Sequence, residues 1–263
     1  MPIRYTIATL LIPVSGLFAQ APAQRPKFDA FEVATIKPAV PTPDRFMKMQ
    51  SNNRFYAKAY SVKYMIGAAY NLTQTAISGG PGWADSDTYD IVAGTPGEVR
   101  PTLDEQMSMM RSLLADRFKL TFHTERKELP IFSLTVAKYG PKLKDSATPE
   151  APPELINVVY PDHIKLPARN ATIAQFASMM QRGVLDRPVA DNTGLTGKYD
   201  FDLEWLPDES QFGGKLPKMA PADDAAKPSL FAALQEQIGL RLQATKGPVE
   251  TIVIDHVERP SGN

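Results

Sequence analysis

Few residues in this chain could carry covalent or metal chemistry. It has no cysteine and only three histidines, His123, His163 and His256, far apart in sequence. A thiolate zinc site, an iron–sulfur cluster, a cysteine nucleophile and a disulfide framework are therefore excluded. Three scattered imidazoles leave little for zinc binding or for acid–base work near neutral pH. No H-E-x-x-H, G-x-S-x-G, G-x-G-x-x-G or G-x-x-x-x-G-K-[ST] string occurs, so zincins, α/β-hydrolases and phosphate-binding loops lack motif support. Carboxylates remain. Asp186, Asp191 and Asp200 could surround calcium, but their spacing lacks the terminal bidentate glutamate of an EF-hand. Asp202 and Glu204 alternate with apolar residues in Phe201-Asp202-Leu203-Glu204-Trp205, the pattern of a strand with one wet face. A glycosidase pair among such carboxylates is a matter of three-dimensional separation. No cofactor is called for.

Two strings stand out as possible binding surfaces. In Gly79-Gly80-Pro81-Gly82-Trp83 the glycines allow a tight turn that places an indole, either on a ligand platform or tucked over the edge of the core. Turn punctuation with a core-edge indole is the favoured reading. Asp191-Asn192-Thr193-Gly194-Leu195-Thr196-Gly197-Lys198-Tyr199-Asp200 suits a tight connection between a strand ending at Val189 and one starting at Tyr199. Gly80, Gly82, Trp83, Tyr89, Asp191, Gly194, Gly197 and Tyr199 form the candidate partner or ligand surface. They sit there only if the two halves of the chain are symmetric and bring equivalent loops together. Asn71-Leu72-Thr73 and Asn170-Ala171-Thr172 are glycosylation sequons only in a host that glycosylates.

These residues must be positioned by a chain of 263 residues with 29 basic and 29 acidic groups. That length fits one large domain or two of about 100 residues. Zero net charge argues against a nucleic-acid partner, which selects for a basic face, and against a polybasic membrane-surface protein. Residues 1–23 read as an export signal: Arg4 and the free amine, a mostly apolar run from Tyr5 to Phe18, then Ala21-Pro22-Ala23 with a cut before Gln24. A cut before Gln20 is the alternative. No later apolar run is long enough to span a bilayer, so the mature chain is expected to be periplasmic or secreted, with no membrane span.

Prolines mark the boundaries. The stretch 141–161 reads as a linker between a first unit, 24–140, and a second, 162–263, while 207–228 reads as a flexible loop. The halves resemble each other. Ala57-Lys58-Ala59-Tyr60-Ser61-Val62 lies on Ala168-Arg169-Asn170-Ala171-Thr172-Ile173, and Tyr89-Asp90-Ile91 on Tyr199-Asp200-Phe201. Further on, Phe118-Lys119-Leu120 lies on Leu240-Arg241-Leu242. Their constant order points to a tandem duplication. In each half a helix follows Ser61 or Thr172. A second helix begins at Thr102, with Glu105 as capping partner, or at Ser229, ending at Gly239. Thr172 and Gln175 form another capping box. Strands are expected at 119–123, 131–136, 240–244 and 249–257. The expected fold is α+β: two tandem related units, each a small, mostly antiparallel sheet with two helices on one face.

In combination, several strings resemble a soil-associated family of exported bacterial proteins, expanded in Acidobacteria and built on a domain of unknown function. They are Phe31-Glu32-Val33-Ala34-Thr35-Ile36-Lys37-Pro38, Ile77-Ser78-Gly79-Gly80-Pro81-Gly82-Trp83, Leu113 to Leu120, Arg187-Pro188-Val189 with Thr193 to Phe201, and Gly247-Pro248-Val249 with Ile254 to Pro260. The resemblance brings no activity, cofactor or catalytic residue. Some relatives look fused to a membrane metallopeptidase of the β-lactam-sensor type, which implies an extracytoplasmic sensing or binding role. Ser229 to Ile254 more loosely resembles the short N-terminal modules of secretins and TonB-dependent receptors, which pair strands with partner proteins.

Two functions stay open at this point. One is a non-enzymatic extracytoplasmic binding or sensing module for an unidentified envelope protein or extracellular ligand. The other is a carboxylate- or metal-dependent hydrolase, requiring two or more of Asp90, Asp191, Asp200 and His256 to converge between the units.

Overall fold

The computed structural model describes residues 25–42, 44–214 and 227–260. The expected signal at 1–23 and residues 215–226 of the expected loop lie outside the described residues. The first half runs β1 (Val33–Ala39), β2 (Phe46–Met49), β3 (Arg54–Ser61), α1 (Val62–Tyr70), β4 (Ile77–Gly79), α2 (Trp83–Ser86), β5 (Thr88–Gly94), α3 (Leu103–Arg117) and β6 (Thr121–Val136). Three short strands follow, β7 (Lys144–Asp145), β8 (Glu154–Leu155) and β9 (Val158–Val159). Then come β10 (Ile164–Thr172), α4 (Ile173–Gly183), β11 (Val189–Asp191), β12 (Lys198–Trp205), α5 (Leu230–Gln237) and β13 (Leu240–His256). Among the described residues no helix is long and apolar enough to cross a membrane.

The helices begin where side chains can satisfy their first amides. Ser61, Thr102, Thr172 and Ser229 are N-caps, and Thr102/Glu105 and Thr172/Gln175 each close a reciprocal capping box. α5 stops against Gly239, whose φ of 68° suits glycine.

The strands form three sheets of mixed α/β architecture. One has the order β1-β5-β3-β2, another β7-β12-β10-β8 with β9 also on β10, and both are antiparallel. The third, β11-β6-β13-β4, draws strands from both halves. Here the expectation of a self-contained sheet in each half is corrected. The strands expected at 119–123 and 131–136 are one strand, β6, and those at 240–244 and 249–257 are one strand, β13. β6 pairs antiparallel with β13 along its whole length, from Leu240 opposite Val136 to His256 opposite Thr121. The middle of this ribbon, 123–128 and 243–246, is exposed, so it lacks the alternation that marks a one-faced strand.

The ribbon joins two hydrophobic cores. The first gathers Phe55, Ile66, Ile91, Leu114 and Phe118 around Ile252 and Ile254 at the end of β13. The second gathers Ile164, Phe176, Leu203 and Trp205 around Phe132 and Leu134 at the end of β6. Each half therefore lends a strand end to the other's lobe.

Local details recur in the two lobes. The β3–β5 register slips between Ala57 and Tyr60, where Ala59 has φ 55° and donates its amide to Asp90 Oδ1 at 2.8 Å. The β10–β12 register slips between Ala168 and Ala171, where Asn170 has φ 51° and donates to Asp200 Oδ1 at 2.8 Å. A bulge leaves one amide without a ladder partner, and an aspartate on the neighbouring strand accepts it.

Candidate functional site

The surface expected from sequence divides into two distant places. Gly79 pairs with Ile254, which faces Phe122 of β6, while Asp191 pairs with Leu134, twelve positions along the same strand. At about 3.3 Å per residue the two connections lie about 40 Å apart, on opposite edges of the shared sheet. They do not form one surface. Gly79 and Gly80, at φ 76° and 72°, press against Ile254, and a Cβ on Gly79 would fall 2.7 Å from its carbonyl oxygen. Gly82 has open space around it. Trp83 lies half-buried on the rim of the first core, with the Arg259 guanidinium 4.8 Å from its ring and Arg259 bonded to Asp87. Tyr89 is a core residue, 4% exposed and edge-on to Phe118.

At the other end, Asp191 closes a turn by accepting the amide and hydroxyl of Thr193 at 3.0 and 2.7 Å. Gly194 is open at φ 70°, and Gly197 leaves room for the Tyr199 ring, which packs half-buried on the second core. The groups named for a hydrolase are each engaged locally. Asp90 and Asp200 hold the two bulges, Asp191 holds its turn, and His256 contacts Glu258 at 2.9 Å. Among the described residues, no group of three or more His, Asp or Glu side chains is placed to hold a metal ion.

A different place brings the lobes together. α1 ends in Asn71, which takes the left-handed conformation at φ 55°. Its side-chain oxygen accepts from the Ser178 hydroxyl at 2.9 Å, and its backbone carbonyl accepts from Gln181 at 2.6 Å. Ser178 and Gln181 are one turn apart on α4, so a single helix cap bridges the lobes. Beside this bridge opens a cleft of about 580 Å³, walled by α1 and the following loop, the start of α3, the end of α4 and the turn at Phe212. Gly67 is required in this wall: a Cβ there would lie 2.7 Å from the Gln74 amide nitrogen and 2.9 Å from the Leu72 carbonyl.

The cleft combines a mainly apolar wall with two cations and a few other polar groups. Met47, Leu72, Leu103, Met107, Val184 and Phe212 supply apolar wall, while Arg45, Tyr60, Tyr64 and Arg182 supply polar groups. The Arg45 guanidinium lies over Tyr64, 3.6 Å from the ring centroid, and 5.3 Å from that of Tyr60. Burial pushes the Tyr60 hydroxyl above its ordinary value, with Arg45 and then Arg182 pulling it back. Arg182 donates Nε–H to the Ser178 carbonyl at 3.3 Å. Arg182 is exposed as a residue, yet the surrounding walls displace enough water to lower its pKa, and it remains a cation at physiological pH.

Among the described residues neither Arg45 nor Arg182 forms an ion pair. Elsewhere the charges pair readily: on the outer face of β10 and β12, Lys165 and Arg169 hold Asp202, and Lys165 and Lys227 hold Glu204. Sequence reading did not single out the cleft residues. One signal was available for Arg182, the only charged residue of α4.

A protein-family model described as "Protein of unknown function (DUF3738)" matches residues 63–257. No curated protein and no solved structure matches the chain. The chain belongs to that family of unknown function.

Proposed function

Starting from that membership, which brings no activity with it, we propose that the chain is an exported, non-enzymatic binding module that holds a small molecule in the cleft between its lobes. The observation that carries this is a cleft of about 580 Å³ walled from both lobes, within the range of small-molecule sites. Its mixture of apolar wall and a few convergent polar groups suits recognition. Export rests on the charged start, apolar run and small residues of 1–23.

We also read the fold as two tandem related units, 24–140 and 162–263. The matched strings support this, and so do the two bulges with the same positive-φ residue and the same aspartate. The parallel pairings of Ile77–Gly79 on β13 and Val189–Asp191 on β6 are likewise equivalent.

The test of the binding reading is a thermal-shift screen against a metabolite library, run beside Leu103→Trp. Leu103 is 48% exposed and lines the cleft, so an indole there fills space without disturbing either core. At least one compound should raise the melting temperature of the parent and not of the variant. A screen with no such compound overturns the binding reading.

A further inference from the structure

We infer that the cleft recognises an anionic head group on an otherwise apolar small molecule, with Arg45, Tyr60 and Arg182 as its polar contacts. This rests on the reading of the cleft as a ligand site and names the ligand class.

A guanidinium presents five N–H donors and no acceptor. Arg182 spends Nε on the Ser178 carbonyl, and the rest of its fork has no partner among the described residues. Arg45 sits 3.6 Å from the Tyr64 ring centroid and hydrogen-bonds the Tyr60 hydroxyl, an acceptor that leaves most of its five donors unspent. The Tyr60 hydroxyl lies within electrostatic reach of both guanidiniums. Two cations on one cleft repel each other unless an anion sits between them. Internal compensation is partial: Asp104, exposed at the margin, attracts Arg182 through space without closing an ion pair, and Asp186 is spent on Arg187. A carboxylate or phosphate matches a guanidinium fork with paired, charge-assisted hydrogen bonds.

The remaining wall decides the rest of the molecule. Met47, Leu103, Met107 and Phe212 line the same space, and two methionines give a wall that adapts to varied apolar shapes. A small inorganic anion would leave that wall facing water. A neutral apolar molecule would leave both guanidiniums without an ion-pair partner.

The experiment uses four probes with one eight-carbon tail: octanoate, octyl phosphate, octanol and octyltrimethylammonium. Binding to the full mature chain is measured by calorimetry for the parent, Arg45→Gln, Arg182→Gln, Arg182→Lys and Leu103→Trp. Far-UV circular dichroism checks that each variant is folded. An anionic probe should bind at least about tenfold tighter than octanol, and Arg182→Gln should remove about that factor. Arg182→Lys should restore part of it, since it keeps the charge and loses the fork. Affinity should also fall with added salt. The preferred head group, carboxylate or phosphate, follows from the two anionic arms.

Octanol or octyltrimethylammonium binding as tightly as the anions, with the arginine variants unchanged, would overturn the anion inference and leave the cleft reading standing. No probe binding in a way that Leu103→Trp blocks would remove both.

Discussion

Removing the aspartate that holds the first-lobe bulge should cost a measurable share of stability, and its size follows from the geometry. Asp90 Oδ1 accepts the Ala59 amide at 2.8 Å where the β3–β5 register is interrupted. Ala59 is 4% exposed, so water cannot take over that amide when the carboxylate is gone. Leaving a buried donor unsatisfied costs about 1–3 kcal/mol. Asp90→Ala should therefore lose about 2 kcal/mol, whereas Asp90→Asn, which keeps a carbonyl acceptor, should lose less than about half of that. The same bulge strains its own residue. Alanine in the left-handed region costs about 1–2 kcal/mol, and glycine avoids that while giving back about 0.5–1 kcal/mol of chain entropy. Ala59→Gly should thus stabilise the protein by about 0.5–1 kcal/mol. The assay is urea unfolding followed by far-UV circular dichroism, with the slope checked for constancy across variants. Asp90→Ala unfolding within about 0.5 kcal/mol of the parent would refute the assignment of the bulge amide to that carboxylate.

Three other outcomes are expected. Asn71→Ala should destabilise by about 1–2 kcal/mol, since alanine resists φ 55°, and Asn71→Gly by less, although both lose the Ser178 hydrogen bond; equal losses on denaturation would contradict this. Asp255 lies 2.8 Å from His123 Nδ1 and, as the leading cause, raises the imidazole pKa. Any stabilisation from that pair is full below the unfolded value of about 6.5 and is lost as pH rises through the folded value. In a proton NMR titration Asp255→Asn should lower the His123 midpoint, and an unchanged midpoint would dismiss the pair. Trp83 is half-buried on the first core under Arg259, so Trp83→Ala should cost about 2 kcal/mol, below the 3–5 of a fully buried ring. A loss near zero in thermal unfolding would mean that the indole packs on nothing.

What the sequence disclosed was mostly local. Thr102 with Glu105, Thr172 with Gln175, and Gly239 after an apolar run mark helix ends because caps act within one turn. The long strands were harder. Thr124-Glu125-Arg126-Lys127-Glu128 carries charge on successive residues and ends near Pro130, which reads as a connection. It is a strand only because β13 lies beside it throughout, a partner more than a hundred residues away. Pairing across the lobes leaves no local trace. The cleft was hidden for the same reason. Arg45 precedes a short strand and Arg182 ends a helix, and nothing within a few residues of either shows that they face one space. The glycine-and-tryptophan string drew notice for its composition, yet Gly79 is explained by the closeness of Ile254 and Trp83 by the core edge.

On the duplication reading, the cleft arises from one contact that diverged on its two sides. The shift of 111 residues that lays Ser61 on Thr172 also lays Gly67 on Ser178 and Asn71 on Arg182. On one side of the α1–α4 meeting, Asn71 receives hydrogen bonds from Ser178 and Gln181 and closes the lobes together. On the equivalent side, Arg182 faces a wall that includes Gly67, which has no side chain to offer. Gly67 cannot regain one, because the Leu72 carbonyl and the Gln74 side chain occupy the place of its Cβ. Tyr60 and Tyr64, which complete the polar part of the cleft, fall on Ala171 and Gln175. The first of these is buried and the second is spent on a capping box. The symmetric partner of a closed junction is therefore an open one, carrying a guanidinium that closes no ion pair among the described residues. A duplicated fold can acquire a single ligand site in this way: one copy of the contact holds the lobes, which frees the other to bind.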